Sequence, residues 1–104
     1  MPLLKMKGFQ MANKYDNLPL NVILDRIKNK DIFANTAEVI CSMRETVTWS
    51  KFFYIPVDCM SDMPYVIAAI NYIITPFGYK ASWDWLHYVE ADGNRCIHLF
   101  LDEI

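Results

Sequence analysis

Apolar positions along this chain switch between the helical and the strand period, and the switches divide it into six elements. In "DNLPLNVILDRIKNK", Leu20, Ile23, Leu24 and Ile27 recur at the spacing of one buried helical stripe. Asn17 is placed to cap that helix, and Pro19 suits a first turn whose amides lack helical partners. "ANTAEVICSMRET" predicts a second helix, with Asn35 and Glu38 as a capping box and Val39, Ile40 and Met43 as a narrower apolar face.

"TVTWSKFFYIPV" changes to β-branched and aromatic residues, which suit a pleated surface. Alternation puts Val47, Trp49, Phe53 and Ile55 on one face and Thr46, Thr48, Ser50, Phe52 and Tyr54 on the other. Pro56 stops the pairing or marks an edge strand. "SDMPYVIAAINYIITPFGYK" then predicts a helix capped by Ser61 or Asp62, with Pro64 in its first turn and Pro76 and Gly78 ending it near Thr75. It is apolar almost all round, so it is expected to be the central helix.

"SWDWLHYVEADGNRCIHLFLDEI" reads as a hairpin with two possible registers. A two-residue Asp92-Gly93 turn sets His87 opposite His98 and Val89 opposite Cys96, gathering His87, His98, Cys96 and Asp102 on one face. Such a face offers zinc-type ligands. A turn over Ala91-Asp92 with left-handed Gly93 in a bulge sets His87 opposite Ile97, Trp85 opposite Leu99 and Trp83 opposite Leu101. Trp83, Trp85, His87, Val89, Ile97, Leu99 and Leu101 then share an apolar face, and Asp84, Leu86, Tyr88, Cys96, His98 and Phe100 form the mixed face. A sheet with one buried face gains most when its apolar sets coincide, so the pattern selects the bulged register. No metal site and no cofactor are expected from it.

The order α-α-β-α-β-β implies an α+β domain: a small, at least three-stranded, mainly antiparallel sheet packed on helices. Residues 13–104 form the expected single domain, behind a flexible N-terminal extension over residues 1–12. Met1, Met6 and Met11 all stand as candidate starts. The longest apolar run, "MPYVIAAINYIITPF", is too short for a bilayer, and the start lacks the pattern of a signal peptide. Cys41, Cys59 and Cys96 form an odd set without metal-ligand spacing, which fits free thiols in a cytoplasmic protein.

The net charge of −2 is unevenly spread: six Lys/Arg face two Asp in residues 1–30, and four face ten acidic residues in residues 31–104. An acidic body disfavours phosphate and favours a basic protein surface. Arg26, Lys28 and Lys30 suit the negative end of the first helix, although a basic arm and first helix also suit nucleic acid. Cys59, before a helix start, is the candidate nucleophile of a Cys-His enzyme with His98 as base, but Asp58 and Asp62 oppose its thiolate.

With no chemical constellation standing out, the expected function is non-enzymatic protein binding. A small stoichiometric inhibitor of the toxin-immunity or phage anti-defence kind is one form of it. The candidate contact residues are Tyr54, Asp58, Asp62, Tyr88, His98, Phe100, Asp102 and Glu103, which combine aromatic anchors with acidic groups. A homodimer through the same surface is the competing arrangement.

Overall fold

The computed structural model describes residues 15, 17–89 and 92–104, and the side chains of 87–89 are outside that description. The extension expected over residues 1–12 lies outside the described residues. Three helices and three strands follow in the expected order: α1 (Leu20–Arg26), α2 (Lys30–Glu45), β1 (Ser50–Pro56), α3 (Met63–Ile74), β2 (Tyr79–Val89) and β3 (Asn94–Glu103). A 3-10 turn over Val57–Asp62 joins β1 to α3.

The first two helices divide differently from the apolar pattern. The first is shorter, and Pro19, not Asn17, occupies its N-cap. The second begins at Lys30, because the Asn29 side chain accepts from the amides of Asp31 and Ile32 and so caps an earlier turn than Asn35 could. Ile32, Thr36, Ile40 and Met43 are its buried stripe. Lys30 turns back, and its Nζ donates to the carbonyls of Leu24 and Ile27, the latter at 2.8 Å, satisfying the C-terminal end of α1.

A second difference precedes β1. Thr48 N–H bonds the Met43 carbonyl and Val47 N–H the Arg44 carbonyl, closing α2 in a Schellman motif. Val47 therefore sits left-handed at φ 55° and is exposed, so the strand begins only at Ser50.

α3 matches its expectation closely. Val66 to Asn71 are all buried, and the helix gives way to a short 3-10 turn closed by left-handed Gly78. Asp62 precedes it without capping it. Its carboxylate instead accepts from the amides of Lys28, at 3.2 Å, and Asn29, at 2.9 Å, pinning the α1–α2 turn to the start of α3.

The sheet runs β1-β3-β2, antiparallel throughout. Val89 pairs with Arg95 and Gly93 is left-handed at φ 85°, as the bulged reading requires. Beyond it an irregularity between Trp85 and Val89 slides β2 by two residues, so Trp85 pairs with Ile97, Trp83 with Leu99 and Ala81 with Leu101. Side chains alternate with a period of two, so an even slip changes every partner and no face. Ile55, Ala81, Trp83, Ile97, Leu99 and Leu101 thus join α3 and the stripes of α1 and α2 in one core.

Two hairpin expectations change. Trp85 is on the inner face yet is 41% exposed. It lies toward the turn, where it forms a T-shaped pair with Trp83, the ring centroids 5.6 Å apart, and the Arg95 guanidinium lies 5.5 Å from its centroid. Cys96 belongs to the outer face yet is buried, because a small thiol is overshadowed by large neighbours such as Tyr54 opposite and His98 two positions on.

Candidate functional site: the outer face of the sheet

Residue parity decides what the outer face carries. Phe52 of β1, His98 of β3 and Asp84 of β2 lie in one cross-strand row; Ser50, Phe100 and Ser82 form the next, and Tyr54 stands opposite Cys96. The rings meet in a continuous stack: Phe52 and His98 lie 4.5 Å apart nearly parallel, and His98 and Phe100 lie 4.2 Å apart at 40°. Such offset contacts hold the rings in place without a helix over them. Phe52 is 55% exposed and Tyr54 50%, so no element among the described residues covers this face.

Polar groups rim the stack. Asp84 is exposed beside His98, with one carboxylate oxygen accepting from the Trp85 amide at 2.8 Å. Asp102, half-buried, stands opposite Lys80 at the far end of the same face. Ser82 is buried opposite Phe100, and its hydroxyl has no partner among the described residues.

Of the residues singled out from sequence, Tyr54, His98, Phe100 and Asp102 share this face. Tyr88 has its side chain outside the described residues. Asp58 is exposed in the 3-10 turn, away from the stack, and Glu103 is exposed on the opposite parity at the end of β3. Asp62 was expected on a less-buried surface but is only 3% exposed, because its oxygens turn inward to accept from the Lys28 and Asn29 amides of the α1–α2 turn. It is a structural carboxylate. Phe52 and Asp84 were not singled out, although strand alternation already placed Phe52 beside Tyr54.

The Cys-His arrangement does not assemble. Cys59 belongs to the core cluster on the helical side, whereas His98 projects from the other face of the sheet. The thiol lines an open cleft of about 500 Å³ with Asn29, Asp31 and Asp58, and Asn29 Nδ2 donates to its Sγ at 3.5 Å. Burial, reinforced by the charges of Asp58 and Asp62, raises its pKa above the ordinary 9.0 against the opposing pull of the Asn29 hydrogen bond. A nucleophile needs the reverse shift.

The basic cluster is partly consumed internally. Arg26 lies 5.9 Å from the Tyr65 ring centroid and Lys30 caps α1, which ties both to the fold. Among the described residues no group of three or more His, Cys, Asp or Glu converges as metal ligands, and no helix is long and apolar enough to cross a membrane. No family model, curated protein or solved structure matches the chain.

Proposed function

We propose that this chain is a non-enzymatic protein-binding domain whose contact surface is the outer face of the sheet, centred on Phe52, Tyr54, His98 and Phe100. The observation that carries this reading is the uncovered aromatic stack, held in register by β1 and β3. Aromatic side chains with exposed faces gain most when a partner removes them from water, and ordered rings lose little entropy on docking. Asp84 beside the stack and the ten acidic residues against four basic ones in residues 31–104 favour a partner with a basic surface. The mode of action is occupancy: the domain acts by covering surface that its partner uses, as a stoichiometric inhibitor does.

Capture of partners by the immobilised full-length chain, compared with Phe52→Ser and Tyr54→Ser, tests the reading. A specific partner is expected to be retained by the native chain and by Ile73→Ser, a change on the helical side, and lost from both outer-face variants at unchanged thermal stability. Equal retention by all four proteins overturns the assignment.

A further inference from the structure

A second surface feature lies on the helical side, apart from the aromatic stack. Ile40 of α2, Ile73 and Ile74 at the end of α3, Phe77 after it, Tyr79 of β2 and Leu101 of β3 line an apolar groove of about 220 Å³. Phe77 is 71% exposed and Ile73 50%, so the groove opens to solvent along one rim. Its other rim carries Cys41 and Arg44 from successive turns of α2.

Arg44 gives the groove its chemistry. Its guanidinium lies 5.4 Å from the Tyr79 ring centroid, and no carboxylate among the described residues forms an ion pair with it. The cation thus stands at the mouth of an apolar cleft, against the Tyr79 ring and without a carboxylate partner among the described residues. The C-terminal end of α2 opposes an anion with about half a charge, which a full guanidinium charge outweighs. A single guanidinium matches a carboxylate with two parallel hydrogen bonds. The groove is also smaller than the roughly 300–1,000 Å³ of drug-sized pockets, so it takes a small ligand, and Ile40, Ile73, Ile74 and Leu101 make its lining mainly aliphatic.

We infer that this groove binds short- to medium-chain aliphatic carboxylates, with the chain along Ile40, Ile73 and Phe77 and the carboxylate on Arg44. The chain's own first fourteen residues are poorly suited to the place, because they contain Lys5, Lys7 and Lys14 and no acidic side chain to meet Arg44.

Cys41 supplies the readout. It is the exposed cysteine of the three, and it lines the groove, whereas Cys59 and Cys96 are buried. Its alkylation by iodoacetamide is measured on the full-length chain in increasing octanoate, with hexanoate and decanoate for comparison. Saturable protection is expected, with affinity rising about fourfold per methylene until the groove is filled. Arg44→Gln is expected to raise the half-protecting concentration about tenfold or more, and octylammonium to protect at least that much less well than octanoate. Protection that never saturates, that octylammonium matches, or that survives Arg44→Gln unchanged overturns the site. Arg44 is exposed, so its replacement leaves the fold intact, and a melting curve of the variant verifies this.

Discussion

Asn71 and Ala81 exchange two hydrogen bonds: Asn71 Nδ2 donates to the Ala81 carbonyl at 3.0 Å, and the Ala81 amide donates to Asn71 Oδ1 at 2.7 Å. β2 is an edge strand, and Ala81 turns both backbone groups away from β3 toward α3. One buried side chain thus stands in for a missing fourth strand. Asn71→Leu strands both groups in the core and is expected to cost about 2–4 kcal/mol of unfolding free energy. Urea denaturation with an unchanged slope measures it; a loss below the effect of a surface substitution contradicts the account.

Asp62 joins the α1–α2 turn to the start of α3 through the amides of Lys28 and Asn29. Asp62→Ala is expected to destabilise the fold by about 2–3 kcal/mol, since hydrogen bonds to a charged group carry more than neutral ones. Partner capture at a temperature where the variant is folded is expected to remain intact. The outer-face variants Phe52→Ser and Tyr54→Ser should behave in the opposite way, so the comparison separates a structural carboxylate from contact aromatics.

Val47 occupies the left-handed position that closes α2, where a β-branched side chain is strained by about 1–2 kcal/mol. Glycine removes the strain and adds unfolded-state entropy of about 0.5–1 kcal/mol. Val47→Gly is therefore expected to stabilise the protein by up to about 1 kcal/mol, read as a higher melting temperature. A lower one indicates that the Val47 side chain makes contacts that outweigh the strain.

Cys59 holds its proton more tightly when folded than when unfolded. Such a group contributes its full share of stability below the unfolded value near 9.0, and that share is lost as pH rises through the raised folded value. Stability is expected to fall above pH 9 in the native protein and to fall less in Cys59→Ala. Alkylation of Cys59 at neutral pH should also be slower than that of an unstructured peptide thiol. Faster alkylation would return Cys59 to consideration as a nucleophile.

The aromatic stack was half legible in the sequence. Alternation in "SKFFYIP" and "NRCIHLFLDE" sets which side chains share a face, so Tyr54, His98 and Phe100 could be grouped before any fold was known. Phe52 escaped selection because its importance comes from stacking on His98, a contact between strands distant in sequence. Asp62 was misread for the complementary reason: its side chain resembles any loop carboxylate until the amides of Lys28 and Asn29 arrive from more than thirty residues away.

Periodicity by itself determined the number, type and order of the elements, the central position of α3 and the two faces of the hairpin. These depend on local spacing: a stripe repeats at the helical period or alternates at the strand period whatever lies across from it. Only tertiary structure decided where α2 begins, which β2 residue meets which β3 residue, and which cations, carboxylates and thiols remain on the surface. Those outcomes depend on competition between distant groups. Asn29 prevails over Asn35 as a cap, Lys30 turns back to the carbonyls of α1, and a two-residue slip in β2 exchanges partners while preserving faces. Arg44 is left at the rim of an apolar groove because α2, α3 and the sheet meet there, a juxtaposition that spacing along the chain does not encode.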